Sequence, residues 1–503
     1  MLAVARATAA LCASICTLWA TRSVTPESLS PSEFSRRIQE HWQIENGRHW
    51  DLDVVFDEEN SSENVLPRTL TTWNACSNSC CLPPLETAHR HSIRSQRESD
   101  AIALPTHCAT SGRKKRKFFS RYLGEFMDSW LNAFYRNKSI LITGATGFVG
   151  SILLQTIISN LPESGLIYCI FRNETGLVHP RIKWIRGDIR MPKFGLDELT
   201  LQSLQEQVEI VFHLAAHTGW NIGLKDQVAS NTLPAIHAAE LASTFKKLQS
   251  FIFTSSYWSA GNRFDEIEIK EDFFQDFSAE IELSDIINRD LPARLADWPN
   301  PYSYAKNLAE RILQQRFPEM PIVVARVTSV CGTWLFPERG ICRFDNALPA
   351  FLRAIATGSV KYFPSGMKTA VNDAIPVDLC VNLLLTNAAD RAREFCSIIN
   401  CGSAKRNLPT VGSIAEMVGE IRYFDTPSEL EEALSNMGDP RAEKLNRLIL
   451  KTYSAGLERR VFFLDDEARR PIRKMLPSDM DIFPVEVENV DWTALVKAMM
   501  KNL

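Results

Sequence analysis

Short runs of β-branched and aromatic residues recur between residues 139 and 326, and segments with helical spacing separate them. The runs are SILIT, LIYCIF, VEIVFH, SFIFTS and PIVVAR, which start at residues 139, 166, 208, 250 and 321. Strands that are apolar on both faces and alternate with amphipathic helices are typical of a parallel sheet that is covered on both sides. The sequence therefore predicts an α/β fold with a doubly wound parallel sheet.

The chain of 503 residues divides into three segments of different composition. Residues 1–117 are rich in Ser, Thr, Glu, Asn and Pro, and we expect a largely disordered extension that starts with a targeting segment. Residues 118–390 carry the α/β pattern. Residues 391–503 predict a smaller, mainly helical C-terminal unit, because leucines such as Leu445 and Leu448 recur at helical spacing.

The bulk composition excludes several classes of protein. The chain has 56 Lys and Arg residues and 60 Asp and Glu residues, so it carries no excess of positive charge that would attract nucleic acid. A membrane-spanning helix needs about 20 apolar residues, and the apolar stretch at residues 7–20 is shorter, so no such helix is predicted. Peripheral membrane association stays open. Cysteines and histidines within residues 76–91 lack a recognised four-ligand spacing, so no metal site is predicted.

The strongest local motif is TGATGFVG, which follows the first strand-like run and opens an amphipathic segment. Between a strand and a helix, its glycines permit a tight turn, close approach of a pyrophosphate and close helix packing, while the helix N-terminus supplies amide groups. The sequence thus predicts a dinucleotide site. Its residues in this motif are Thr143, Gly144, Thr146, Gly147, Phe148, Val149 and Gly150.

Residues at the ends of the next strands indicate which dinucleotide binds. Arg172 follows the second strand, where folds specific for NAD usually present a carboxylate. An arginine there favours NADPH, because it pairs with the 2′-phosphate. Asp188 follows a third short strand and can hold the adenine amino group. The small residues Ala215 and Ala216 after the fourth strand let the backbone run under the cofactor.

The motif YSYAK places Tyr302 and Lys306 four residues apart, on one face of a predicted helix. We expect the Lys306 ammonium to lower the pKa of the Tyr302 phenol from about 10 toward neutrality, which makes Tyr302 a proton donor, and to hold the nicotinamide ribose. Ser255 and Ser256 end the fifth strand, at the sheet edge where ligands bind. A serine hydroxyl there can orient a substrate carbonyl.

Two histidines follow the fourth strand-like run. His213 is expected to be a polar residue at the strand end and not a base, because the proposed chemistry already has its acid in Tyr302. His217 can approach the substrate.

With these motifs in this order, the sequence resembles the extended short-chain dehydrogenase/reductase superfamily and, within it, the fatty acyl-CoA reductases, also called male-sterility-domain proteins. The resemblance runs from Phe134 to Val496. Its last piece separates acyl reductases from sugar epimerases and steroid dehydrogenases, which share the front half. The specific pieces are FYRNKSILITGATGFVG, RGDIRMPKFGLDELTL, VFHLAA, NPYSYAKNLAE, FDN at residues 344–346, DAIPVDLCVN at residues 373–382 and FFLDDEARRPIRKMLPSDMDIFPVEVENVDW.

The resemblance implies NADPH-dependent reduction of a long-chain fatty acyl-CoA thioester to the alcohol through the aldehyde. It implies that Ser256, Tyr302 and Lys306 are the catalytic residues. The alternatives are a carrier-protein thioester reductase, a sterol-type dehydrogenase and a non-catalytic NADPH-binding sensor. The acyl chain length, the oligomeric state and the compartment, an organelle or the endoplasmic reticulum surface, stay open.

The sequence departs from the family pattern at three places. The family usually has S-T-A-Y where this chain has SSYW at residues 255–258, and Arg326 is followed by Val327 where a proline is usual. No long apolar tail follows Trp492, so we expect the C-terminal membrane anchor of many animal relatives to be missing.

Overall fold

The structure is a computed structural model that describes residues 129–503, except residues 174, 221, 264–267, 274–277, 290–294, 346, 372, 391–395 and 458–460. The extension predicted at residues 1–117, with its targeting segment, cysteines and histidines, lies outside the described residues.

The strands are β1 Ser139–Thr143, β2 Ile167–Phe171, β3 Ile182–Arg186, β4 Val208–His213, β5 Ser250–Ser256, β6 Glu268–Ile269, β7 Ile322–Val327, β8 Ser329–Cys331, β9 Tyr362–Pro364, β10 Ala374–Pro376, β11 Ser397–Cys401, β12 Arg422–Phe424 and β13 Phe462–Phe463.

Helices connect most of these strands. They are α1 Trp130–Tyr135, α2 Phe148–Asn160, α3 Glu198–Gln207, α4 Leu224–Gln227, α5 Leu233–Ala242, α6 Ala279–Arg289, α7 Pro301–Arg316, α8 Ala347–Ala356, α9 Val377–Ala388, α10 Val411–Glu416, α11 Pro427–Ser435, α12 Pro440–Leu457, α13 Asp466–Arg469, α14 Pro477–Ile482 and α15 Trp492–Met500. In the described part of the chain, no helix is both long enough and apolar enough to cross a membrane.

Seven strands form one parallel sheet in the order β11-β7-β5-β4-β1-β2-β3. The chain winds outward in both directions from β1 and β4, so the doubly wound parallel sheet predicted from the sequence is confirmed. Open α/β sheets bind ligands at the carboxyl ends of the strands, where the winding direction changes. The ends of β1 and β4 are therefore the expected cofactor position.

The two faces of the sheet have separate cores, because side chains alternate along each strand. Ile140 and Ile142 of β1 belong to the core that contains α2 and α9. Leu141, between them, belongs to the opposite core, with residues of α3 and α5. Burial on both faces explains why the strand sequences are continuously apolar.

The edge strand β11 lies beyond residue 390, where the sequence analysis places the start of the C-terminal unit. It pairs with β7 over five residues, from Ser397 opposite Val323 to Cys401 opposite Val327. Val327 also pairs with Ser256 of β5, so the ladder continues at the position where the family usually has a proline. The C-terminal region is mainly helical, as predicted, and its β13 pairs with β6 close to the candidate site.

Candidate active site

The glycine-rich turn at residues 143–150 joins β1 to α2 at the centre of the sheet. Gly144 has a positive φ of 74°, and a Cβ there would lie 2.6 Å from the backbone nitrogen of Ala215. A Cβ on Gly150 would lie 2.0 Å from the carbonyl oxygen of Gly144. Both positions therefore require glycine for the turn itself to close.

The start of α2 fits a bound pyrophosphate. Gly147 precedes the helix and has no side chain to cap it, and in the part of the chain that the structure describes no side chain accepts from the first-turn amides at Phe148 and Val149. These two residues and Thr146 are half-buried, which leaves them accessible from the carboxyl edge of the sheet. Free amides at the N-terminus of a 13-residue helix suit an anionic ligand.

Thr143 has an internal role at this turn. It is fully buried, and its Oγ1 lies 2.9 Å from Nδ1 of His213 and accepts a hydrogen bond from the amide of Ala215 at 3.3 Å. The hydroxyl thus ties the end of β1 to the end of β4 and holds the loop that continues to the exposed Ala216. The direct contact of Thr143 with the cofactor stays a prediction.

Arg172 and Asp188 lie near each other, past the ends of β2 and β3. A hydrogen bond from Arg190 holds the pKa of Asp188 at about 2, and the positive charge of Arg172 contributes to the same shift. Arg190 donates from Nε to Asp188 Oδ1 at 3.0 Å, and Arg172 is exposed. The sequence analysis did not single out Arg190, although its place two residues after Asp188 suits an aspartate turn.

Tyr302 and Lys306 lie side by side on α7. The helix begins after Asn300, whose side chain accepts a hydrogen bond from the Ser303 amide at 2.9 Å. The side chain of Ser256 lies close enough to the Tyr302 hydroxyl to lower the pKa of that hydroxyl. Nζ of Lys306 donates to the carbonyl oxygen of Thr254 at 3.0 Å. The structure thus brings the three predicted catalytic residues together at the end of β5.

Ser255 and Ser256 have different partners. Ser255 donates to Oε1 of Glu310 at 2.5 Å, away from the phenol of Tyr302. Ser256 lies beside the Tyr302 phenol and accepts from the amide of Trp258 at 3.3 Å. Of the two serines, Ser256 is therefore the one beside the phenol, in agreement with the alignment to the family pattern.

The expected direction of the Tyr302 pKa shift is wrong. Burial raises the pKa of Tyr302 to about 12, and the hydrogen bond with Ser256 offsets this only in part. Burial also lowers the pKa of Lys306 to about 8, although the neighbouring carboxylate of Glu310 raises it. Desolvation therefore dominates both groups, and Tyr302 is a neutral phenol throughout the physiological range.

An aromatic cluster surrounds Tyr302. The Trp220 and Trp258 ring centroids are 4.7 Å apart, and those of Tyr257 and Phe463 are 5.2 Å apart, both pairs in edge-to-face geometry. All four residues belong to one hydrophobic group with Tyr302. Phe463 comes from β13, so the C-terminal region supplies part of the wall. No periodicity in the sequence pointed to Phe463, because its two-residue strand is too short to show one.

The two histidines take different positions. His213 is buried at the end of β4, and burial, followed by the charge of Lys306, lowers its pKa to about 3. The imidazole is therefore neutral. His217 is exposed, and its backbone amide and carbonyl are held by the side chain of Asn231 at 3.0 Å each. The sequence analysis missed Asn231, which lies in a single π-helical turn, a feature frequent at functional sites.

Metal ligands are not grouped at this site. In the residues that the structure describes, no three His, Cys, Asp or Glu side chains come together to hold a metal ion.

The fold and the glycine-rich turn, with the serine, tyrosine and lysine at the sheet edge, define an extended short-chain dehydrogenase/reductase that binds a nicotinamide dinucleotide. Two solved structures support the fold. The terminal R domain from the myxalamid PKS-NRPS biosynthetic pathway has a TM-score of 0.56 and 20% identity, over 73% of this chain and 90% of that one. The reductase (R) domain of a nonribosomal peptide synthetase from Mycobacterium tuberculosis has a TM-score of 0.53 and 18% identity, over 76% and 97%.

Sequence comparison places the chain more narrowly. Residues 142–179 and 171–384 match the NAD-binding family model described as male sterility protein. Fatty acyl-CoA reductase 2 of Homo sapiens is 32% identical over 290 residues, which are 51% of this chain and 55% of the human protein. Fatty acyl-CoA reductase 2 of Mus musculus is 30% identical over 443 residues, 73% of this chain and 84% of the mouse protein. The chain belongs to the fatty acyl-CoA reductase family.

Proposed function

We propose that this protein is an NADPH-dependent reductase that converts long-chain fatty acyl-CoA thioesters to fatty alcohols through the aldehyde. The observation that carries the proposal is the placement of Ser256 and Tyr302 beside each other and beside the buried Lys306, at the carboxyl edge of the sheet that carries the glycine-rich turn. Family membership supports acyl-CoA as the substrate class. The match to the human relative spans about half of that protein, so the residues of the site support the substrate class together with family membership.

The cofactor is held by residues from three strand ends. The first-turn amides of α2 suit the pyrophosphate, Arg172 suits the 2′-phosphate of NADPH, and Asp188 suits the adenine amino group. Arg172 is exposed and follows β2 directly, so an anionic group can reach it. When bound, NADPH would supply the hydride to the thioester carbonyl carbon. The CoA thiol then leaves to give the aldehyde, and a second NADPH would supply the hydride that reduces the aldehyde to the alcohol.

Tyr302 acts as the proton donor. Its pKa of about 12 keeps the phenol protonated at neutral pH. The oxyanion that develops on the substrate is a stronger base than a phenolate, so proton transfer from Tyr302 is favourable. Ser256, which lies beside the same phenol, supplies a second donor for the oxyanion.

Lys306 supplies positive charge next to the phenolate that proton transfer leaves behind. With a pKa of about 8, it is charged at neutral pH and loses its charge as the pH rises through that value. One of its three donors is used by the carbonyl of Thr254, and the other two, which have no hydrogen-bond acceptor among the described residues, are available for the nicotinamide ribose. Turnover should therefore decline on the alkaline side.

The aromatic cluster of Trp220, Tyr257, Trp258 and Phe463 gives the site an apolar wall. An apolar wall excludes water from the reacting carbonyl and offers a surface for the first part of an acyl chain. Both effects suit a fatty acyl thioester better than a sugar nucleotide.

The test is NADPH oxidation with acyl-CoA substrates of increasing chain length, with the products identified by mass spectrometry. Tyr302→Phe should lower kcat by about a hundredfold or more while NADPH binding changes little, because the ring still packs and only the donor is lost. The matched control is Tyr304→Phe, because Tyr304 lies on the same helix and donates to Glu282 at 2.6 Å.

Full turnover by Tyr302→Phe, or an equal loss in Tyr304→Phe, would contradict the assignment of the acid. Activity with carrier-protein thioesters and none with acyl-CoA would contradict the proposed substrate.

A further inference from the structure

A buried carboxylate lies on the same face of α7 as the catalytic pair. Tyr302, Lys306 and Glu310 are spaced by four residues, so their side chains follow one another along the helix. Glu310 is 1% exposed, and so is its ion-pair partner Arg326 of β7. The mechanism above assigns no task to either residue.

Glu310 uses both of its oxygens. Its Oε1 accepts from Oγ of Ser255 at 2.5 Å and from Oγ of Ser259 at 2.6 Å. Its Oε2 accepts from Nη2 of Arg326 at 2.6 Å, and Nε of Arg326 lies 3.1 Å from each oxygen. The arginine thus fixes the plane of the carboxylate, and the carboxylate fixes the two hydroxyls.

The two serines bracket the segment that carries Ser256. Ser255 precedes it, and Ser259 follows after Trp258, whose amide donates to Ser256. The carbonyl of Ser259 also accepts from Nδ2 of Asn307 on α7 at 3.0 Å. Residues 255–259 are therefore attached to α7 at both ends, and Ser256 lies between the attachments.

Stability alone does not account for this ion pair. A buried pair of charges is often no more stable than two apolar residues of the same size, because desolvation offsets the attraction. Nη1 of Arg326 is buried without a hydrogen-bond partner in the described part of the chain, which adds to the unfavourable term. A role in positioning the active-site residues explains why the charges of Glu310 and Arg326 are buried here.

The charge of Glu310 also reaches Lys306. The titratable and charged groups around Lys306 are His213 on β4, Tyr302 and Glu310 on its own helix, and Arg326 behind Glu310 on β7. His213 and Tyr302 are neutral at pH 7. Glu310 is the anion in this group, and it raises the pKa of Lys306 against the effect of burial.

We propose that Glu310 is a positioning residue for the reduction. Its carboxylate, oriented by Arg326, holds Ser255 and Ser259 so that Ser256 stays beside the Tyr302 phenol, and its negative charge lies about one helical turn from Lys306. The proposal rests on the proposed function, because it assigns Glu310 a role in that reaction.

The serine attachments are tested with the double variant Ser255→Ala/Ser259→Ala, which keeps the ion pair. We expect kcat to fall roughly tenfold, with the KM for acyl-CoA and the Kd for NADPH within about twofold of wild type, because only the placement of Ser256 changes. An unchanged kcat would overturn this part of the proposal.

The charge is tested with Glu310→Gln/Arg326→Met. The double variant is needed because Glu310→Gln alone leaves Arg326 as an unpaired buried charge. Without the anion, Lys306 loses its proton more easily, so the alkaline limb of kcat should move to lower pH by roughly half a unit or more. In Ser255→Ala/Ser259→Ala the limb should not move. A limb that stays in place without Glu310 would overturn the electrostatic part.

The matched control is Glu282→Gln/Arg311→Met. Arg311 lies on the same helix, its side chain is 1% exposed, and Nη2 is 2.6 Å from Glu282 on α6. Removal of this pair should lower the melting temperature and leave the pH profile of kcat unchanged. Because Nε of Arg311 also donates to Oδ1 of Asn307 at 2.9 Å, the pH profile is the readout for which this pair is the control. If the Glu310 and Glu282 variants lose stability alike and neither changes kcat or its pH profile, the role of Glu310 is structural and the proposal is wrong.

Failure of the proposed function can be distinguished from failure of the role proposed for Glu310. If the wild-type protein reduces no acyl-CoA, the reaction is wrong, and crystal structures of wild type and Ser255→Ala/Ser259→Ala still test the placement. We expect Ser256 Oγ to lie beside Tyr302 Oη in the first and to move away from it in the second. An unchanged position of Ser256 Oγ in the double variant would overturn the proposal whatever the substrate.

Discussion

Replacement of Arg172 by glutamate tests how the protein chooses its cofactor. Arg172 directly follows β2, its side chain is exposed, and its charge acts on Asp188 past the neighbouring strand. Asp188 already has a partner in Arg190, which hydrogen-bonds it at 3.0 Å. Arg172 is therefore the better-placed of the two arginines to meet a 2′-phosphate.

The magnitude follows from the kind of contact. A charge-assisted hydrogen bond between guanidinium and phosphate contributes roughly 1.5 to 3 kcal/mol, and exposure to solvent moves this contact toward the lower end. Each 1.4 kcal/mol is about a factor of ten in Kd. Arg172→Glu should therefore weaken NADPH binding at least about tenfold, and repulsion between carboxylate and phosphate increases the loss. NADH lacks the phosphate and should change by about twofold or less.

The assay is a fluorescence titration of both cofactors against wild type and variant at one ionic strength, since salt screens exposed charges. Lys246→Glu is the matched control for net charge. Lys246 is exposed, pairs with Glu206 and precedes β5, which places it at the amino edge of the sheet, away from the cofactor. Equal weakening of NADPH and NADH by Arg172→Glu would mean that Arg172 supports the loop and does not recognise the phosphate.

Two further predictions concern stability. His213 is buried and neutral, and its pKa of about 3 is lower than the pKa of a histidine in the unfolded chain, which is about 6.5. Its contribution to the free energy of unfolding is therefore complete above about pH 6.5 and is lost as the pH falls. Near pH 5.5 the loss should be on the order of 1 kcal/mol, and His213→Gln should flatten the dependence of unfolding free energy on pH in urea titrations. A slope unchanged by the substitution would contradict this. Asp479 is buried and accepts hydrogen bonds from the backbone amides of Trp130, Leu131 and Leu476. Asp479→Asn should therefore lower the free energy of unfolding by roughly 1 to 3 kcal/mol and leave kcat unchanged. An unaltered melting temperature would refute this structural role.

Local patterns in the sequence predicted the centre of the fold well. The strands β1 and β4 have the predicted bounds, because a continuously apolar run between helices fits a buried parallel strand and little else. The glycine-rich turn and the helix after it also follow from local chemistry, since Gly144 and Gly150 leave no room for a side chain. These features depend on neighbours in the sequence, which is why they can be recognised there.

The rest of the site depends on residues far apart in the chain. Phe463 reaches Tyr257 through the pairing of β13 with β6, across a separation of almost 200 residues, and the two-residue strands have no period that could predict it. The strand β11 follows residue 390 and completes the sheet that the sequence assigned to the preceding segment. Tertiary packing, not local preference, decides both.

The expectation for the Tyr302 pKa was wrong for the same reason, because burial also depends on tertiary packing. The four-residue spacing shows that Lys306 is near Tyr302, but it does not show how completely the site is shielded from water. In the described part of the chain, the buried charges behind Tyr302 are Lys306, Glu310 and Arg326, which leave one net positive charge in a region that disfavours it. The low pKa of Lys306, about 8, reflects that cost. A negative charge that develops beside Tyr302 during reduction would offset it, so the arrangement stabilises the transition state more than the resting enzyme. Burial therefore does not weaken the assignment of Tyr302, since it keeps the donor protonated until the substrate oxyanion forms.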